Sequence, residues 1–353
     1  MTASTLERTI ETIRPVSLEA RAAAEDRQGQ LTKPPGSLGV IEKIGIQLAA
    51  IAGQCPPPIP QRATVGVFAG DHGVCAQSVT PWPQEVTVQM LVNMAHGGAA
   101  INALARQVGG AVMITDVGVA GTYPAHDAIR VRNLARGTRD FTVEPAMTVD
   151  EARAALEVGI EAAEEAIAGG ADCLMTGEMG IGNTTPSSAL IAVFTGTSPA
   201  DVAGRGAGAD DEMLARKVDV IERAFALHRP VPDRPLEALA AVGGLEHAAI
   251  AGFILGGAAH RIPVILDGVI ACSAALAAVA LAPDAAGYLI SGHAGAEPGI
   301  RVAVTHLGLT PLVDLGLRLG EGSGAALALP LVQSSARILG EMATFADTGI
   351  AGS

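Results

Sequence analysis

Asp172-Cys173-Leu174-Met175-Thr176-Gly177-Glu178-Met179-Gly180-Ile181-Gly182-Asn183-Thr184-Thr185 is the stretch on which the fold turns. The run from Asp172 to Thr176 reads as a short buried strand. Glycines follow, and the Asn-Thr-Thr cluster has the hydroxyl and amide groups favoured at a helix start. Glycines let backbone N–H groups approach a ligand closely, and a strand–glycine–helix junction aims them at an anion. The segment therefore reads as a phosphate or carboxylate cradle. The plainer alternative is a tight turn with an Asn/Thr cap. No G-K-[ST] follows, so it is not a P-loop.

Working outward, three more glycine-rich segments occur: Gly70–Gly73, Ser291–Glu297 and Leu319–Gly324. Strands are expected at Thr64–Ala69, Ala111–Val117, Asp172–Thr176, Pro263–Leu266 and Gly287–Ser291. Helices are expected at Gln84–Arg106, Val149–Ala168, Asp211–Leu227, Leu245–His260, Val269–Leu281 and Ser323–Ala343. Several strands are apolar throughout rather than alternating, as in a parallel sheet covered on both faces. The expectation is a doubly wound α/β fold with ligand groups at the carboxyl ends of its strands. Residues 1–55 read as amphipathic helix, broken at Lys33-Pro34-Pro35-Gly36-Ser37, and Pro56–Pro60 reads as a stiff boundary.

The composition supports a large core. Of 353 residues 49% are hydrophobic but only 3% aromatic, so Ala, Val, Leu and Ile must fill it. Lys+Arg number 23 against 36 Asp+Glu, a net charge of -13, with no basic block. General nucleic-acid binding is excluded, whereas an anionic small molecule needs only local positive potential. Cys55, Cys75, Cys173 and Cys272 are scattered and read as reduced thiols of a cytoplasmic protein. The first residues lack the apolar core of a signal peptide. Mean hydropathy is +0.37, yet the most apolar run, Val269–Ala282, is 14 residues long and too short to span a bilayer.

Candidate chemistry centres on a few residues. Glu321, between two glycines before an apolar helix, is placed to act as a general base, or merely to complement a helix start. Glu178 is analogous. Lys217 can supply positive charge to an anion, or be an ordinary surface lysine. Gly204-Arg205-Gly206-Ala207-Gly208-Ala209 fits a dinucleotide fingerprint in letters, but the preceding Ser198–Asp201 is not a strand, so its context fails. Asp71, His72 and His293 invite a metal or triad reading. Without H-x-x-x-H, H-E-x-x-H or G-x-S-x-G, structural histidines are the simpler reading.

Together, several segments resemble the nicotinate-nucleotide:dimethylbenzimidazole phosphoribosyltransferase family along nearly the whole chain. They include Lys33–Gly39, Asp71–Val74, Pro83–Thr87, Asp116–Gly118, Gly177–Pro186, Lys217–Val220, Gly243–Leu245, Leu266–Gly268, His306–Leu309 and Arg318–Ala326. The resemblance implies a Rossmann-like domain over 56–320 and a small helical domain from 1–55 and 321–353. It implies transfer of phosphoribose from nicotinate mononucleotide to 5,6-dimethylbenzimidazole by a homodimer, with no redox cofactor or essential metal. Glu321 falls on the family's catalytic base and Glu178 on a second active-site carboxylate. Lys217 falls on the phosphate-binding lysine, and Gly180, Ile181, Gly182, Asn183 and Thr184 on the backbone cradle. Gly295 joins that expected substrate-binding set. Trp82 and Gln89 fall in the base pocket, where the family often has a small polar residue and a glutamine. The Trp82 departure motivates a rival reading, the same chemistry on adenine or another benzimidazole. A non-catalytic nucleotide-binding protein of this fold is the other alternative, disfavoured because Glu178, Lys217 and Glu321 are all present.

Overall fold

The computed structural model describes residues 4–350; the outermost residues of the expected helical domain, 1–3 and 351–353, lie outside it. The amino-terminal helices are α1 (Thr5–Thr12), α2 (Leu18–Gln30) and α3 (Val40–Ala52). Then come β1 (Ala63–Gly70), α4 (Glu85–Ala95), α5 (Ala100–Val108), β2 (Ala111–Gly118), β3 (Ile129–Val131), α6 (Val149–Ala168) and β4 (Cys173–Met179). The helices α7 (Thr184–Thr195), α8 (Pro199–Val202), α9 (Asp211–His228), α10 (Pro235–Val242) and α11 (Leu245–Ala259) precede β5 (Val264–Leu266). The chain ends with α12 (Val269–Leu281), β6 (Leu289–Ser291), α13 (Pro298–His306), α14 (Ser323–Glu341) and α15 (Phe345–Thr348).

All six strands are parallel, in the order β3-β2-β1-β4-β5-β6. The chain winds outward from β1 in one direction and from β4 in the other. That reversal leaves a crevice beyond their carboxyl ends. The expected α/β fold is the one observed. One expected element is corrected and several were not foreseen. Gln84–Arg106 is two helices, α4 and α5, because Gly97, at φ 76, breaks the run. The short edge strand β3, with only Ile129 buried, has too little apolar pattern to be read. The helices α8, α10, α13 and α15 were also not foreseen, and only the start of α7 was expected.

Each face of the sheet has its own core. In β1, Phe68 points to one face and meets Phe253 of α11 edge-on, with centroids 5.5 Å apart. Val65, Val67 and Ala69 point to the other, among Leu329 and Val332 of α14. This is the two-residue period of a strand buried on both sides. On the first face α6 and α11 cross at van der Waals range, because Gly159 and Gly252 bring each helix against the other's backbone. A small separate cluster of Ala24, Leu31, Ala49 and Leu339 joins the two chain ends, and Leu31 bridges to Thr344. Among the described residues, no helix is long and apolar enough to cross a membrane.

Candidate active site

The glycine segments converge beyond the carboxyl ends of β1, β4 and β6. A cavity of about 440 Å³ lies there, lined among others by Trp82, Glu178, Gly180–Thr184, Lys217, Gly295 and Glu321. The sequence spreads these residues from Trp82 to Glu321, and the parallel topology gathers them. Gln89 is the exception. It is exposed on α4 and does not line the cavity; Val86 and Met90 do. Residues four apart, such as 86 and 90, share a helix face that 89 leaves. Of the two base-pocket candidates, Trp82 thus lines the cavity and Gln89 does not.

Glu178 stands one residue before the end of β4 and is buried. Its Oε2 accepts a hydrogen bond from Asn183 Nδ2 at 2.5 Å, and its Oε1 accepts the Glu321 N–H at 3.3 Å. Burial, with the nearby Asp267 carboxylate adding to it, pushes the Glu178 carboxyl up to about 8.

Glu321 is buried in a left-handed conformation, φ 66. Its Oε2 accepts the N–H of Ile101, in the first turn of α5, at 3.1 Å. Burial raises this carboxyl above its usual value; the Ile101 N–H opposes the rise and Asp267 adds to it. Asp267, just past β5, fixes the loop. It accepts the N–H groups of Gly322 at 3.1 Å, Gly324 at 2.7 Å and Ala325 at 3.2 Å, doing for α14 what a cap side chain does. A Cβ at Gly320 would strike the Glu178 carboxylate, so the two acids approach only across a glycine. Asp267 was not expected in the site from the sequence alone. An acidic residue between a strand end and a glycine was the available signal.

Lys217 is not the surface residue of the plainer reading. It is buried, and Nζ donates to Thr184 Oγ1 at 2.8 Å and to the Gly204 carbonyl at 3.1 Å. Burial pulls its ammonium below the usual lysine value, partly opposed by Glu297. It thus lines the cavity beside the amino end of α7, where the helix dipole is positive. Gly204–Ala209 follows α8 and not a strand. Its Gly206 N–H is taken by Glu297 Oε1 at 2.7 Å, so that dinucleotide fingerprint is contradicted twice. Trp82 lies half-exposed at the rim, its indole N–H donating to the Ala207 carbonyl at 3.0 Å. His293 lines the cavity with Nε2 3.5 Å from Asp267 Oδ1. His72 is buried against Glu246, Nε2 to Oε1 2.7 Å.

The architecture is that of a doubly wound α/β protein with a buried lysine and two buried carboxylates lining one cavity in its switch-point crevice. Residues 13–350 match the phosphoribosyltransferase family of the dimethylbenzimidazole type. The chain is 58% identical to nicotinate-nucleotide–dimethylbenzimidazole phosphoribosyltransferase of Salinispora tropica, over 98% of this chain and 99% of that one. It is 52% identical to the Chloroflexus aggregans protein of that name, over 98% of each. A crystal structure of the Thermus thermophilus protein of that name superposes with a TM-score of 0.90 at 46% identity, covering 96% of this chain and 100% of that one. The chain belongs to this phosphoribosyltransferase family.

Proposed function

We infer that this protein transfers phosphoribose from nicotinate mononucleotide to 5,6-dimethylbenzimidazole, giving α-ribazole 5′-phosphate and nicotinate for cobalamin assembly. The observation that carries the reading is the shared cavity in which Lys217 and the α7 amino end face two buried carboxylates. The nucleotide phosphate sits on Lys217 and the Gly180–Thr184 backbone, with Gly295 in the lining of the same cavity. The acceptor base lies among Trp82, Val86 and Met90. A benzimidazole nitrogen attacks C1′ from the face opposite nicotinate. The glycosidic pair returns to the pyridine nitrogen, so the leaving group needs no acid. The β-linkage becomes α. Attack acidifies the other ring N–H, and Glu321 takes that proton. Such a base contributes about 10²–10⁴ in rate, and in-line positioning supplies much of the rest. Glu178 as carboxylate stabilises the positive charge at C1′ and on the pyridinium. The cationic substrate itself favours that ionised form. The reading includes a cytoplasmic homodimer.

Incubation of the purified protein with both substrates, followed by mass spectrometry, tests the reading: nicotinate and α-ribazole 5′-phosphate should appear together. Mononucleotide binding without turnover would instead establish a non-catalytic binder. Trp82 motivates a second arm, in which dimethylbenzimidazole competes with adenine; a product dominated by adenine would reassign the acceptor.

A further inference from the structure

Beneath the crevice floor lies a cluster that the proposed chemistry does not use. Glu246 and His247 open α11, whose other buried residues are apolar or glycine. Both are fully buried, as is His72. Glu246 Oε1 lies 2.7 Å from His72 Nε2 and 2.9 Å from His247 Nδ1. On the far side, His247 Nε2 lies 2.8 Å from Ser187 Oγ, in the first turn of α7. Ser187 Oγ in turn donates to the Asn183 carbonyl at 2.8 Å. Asn183 is the residue whose amide holds Glu178.

Three such ligand atoms within 4.8 Å of one another could hold a metal. The separations argue otherwise. Bonds of about 2.0–2.1 Å to a tetrahedral zinc would set the ligand atoms about 3.3 Å apart. At 2.7 Å the Glu246–His72 spacing is that of a hydrogen bond, and at 2.9 Å the Glu246–His247 spacing is that of a close ion-pair contact. Ser187 Oγ lies 2.8 Å from both the Asn183 carbonyl and His247 Nε2, and so ties the start of α7 to the start of α11. Glu246 Oε1 thus stands between the two rings, hydrogen-bonded to His72 Nε2 at 2.7 Å and within ion-pair distance of His247 Nδ1.

We propose that Glu246, His247 and Ser187 form a buried positioning chain that holds Asn183 against Glu178 and so sets where Glu178 titrates. The proposal rests on Glu178 being the active-site carboxylate inferred above. Glu178 faces Asp267 from the turn after β5, Glu246 from α11 and Glu321 from the loop before α14, and Lys217 and His293 line the same cavity. Among the described residues, only Asn183 offers it a side-chain hydrogen bond, and that bond favours the ionised form. Loosening Asn183 therefore moves ionisation of Glu178 to higher pH.

The test is Ser187→Ala, which removes one hydroxyl, with kcat followed from pH 5 to 10 beside the wild type. The alkaline-going rise in kcat should shift up by half a pH unit or more, with kcat at pH 7 reduced about threefold to tenfold. KM for the nucleotide and the thermal midpoint should change little. His247→Gln should shift the rise the same way. An unmoved profile in both variants would overturn the chain, as would stoichiometric zinc in the purified protein. Wild-type turnover is measured first. Its absence would defeat the proposed function, whereas turnover with an unmoved profile defeats only this inference.

Discussion

Glu178 and Glu321 are carboxylates of one cavity in unequal surroundings, and their assignments follow from the difference. Glu321 lies against the amino end of α5 and is raised only against that opposition, so it can be ionised and still be a stronger base than a free carboxylate. Glu321→Gln should lower kcat at least tenfold and leave the nucleotide KM nearly unchanged; steady-state kinetics in both substrates checks this. On the proposed reading, Lys217→Ala should remove a charge-assisted phosphate contact and raise that KM instead, while equal KM values would assign the phosphate to the helix end alone. Glu178, pushed up to about 8 in the folded chain from a value near 4.5, makes a stability prediction. The folded state holds its proton more tightly than the unfolded chain. Its contribution is therefore full below pH 4.5 and is lost as pH rises towards 8. Glu178→Gln should flatten the fall in thermal midpoint over that window, measured by calorimetry from pH 5 to 8.

At the scale of elements, the contact between α6 and α11 is set by what is missing. A Cβ at Gly252 would meet the carbonyl oxygen of Leu156, and one at Gly159 that of Ala249. Backbone cannot swing aside as a side chain can. Gly252→Ala should therefore destabilise by about 1–3 kcal/mol, despite the better helix propensity of alanine; denaturant unfolding measures it. Since α11 also carries Glu246 and His247, that crossing fixes the depth of the buried chain below the crevice. Helix periodicity was legible here from the sequence, and the close approach was not. A glycine inside a helix reads only as a cost until the partner helix is known.

Across the whole molecule, stability is unevenly distributed. Two broad cores sandwich the sheet, whereas Ala24, Leu31, Ala49 and Leu339 form a small cluster between the chain ends. Less apolar area there means local opening at lower free energy. Amide exchange should be slowest in β1 and β4 and clearly faster in α2; equal protection would show that the ends unfold only with the sheet.

The sequence by itself determined the α/β class, the central strands, the crevice-lining glycines and the carboxylate and lysine candidates. Each of these is written in local pattern: an apolar run, a glycine, a helix-start cluster. Tertiary structure alone decided that Met90 and not Gln89 lines the cavity, that Lys217 is buried, and that Asp267 holds the Glu321 loop. It also decided that Glu246, His247 and Ser187 lie under the site. Those facts depend on helix rotation and on contacts between segments distant along the chain. No single stretch encodes such contacts, because they exist only once the sheet has brought its strand ends together.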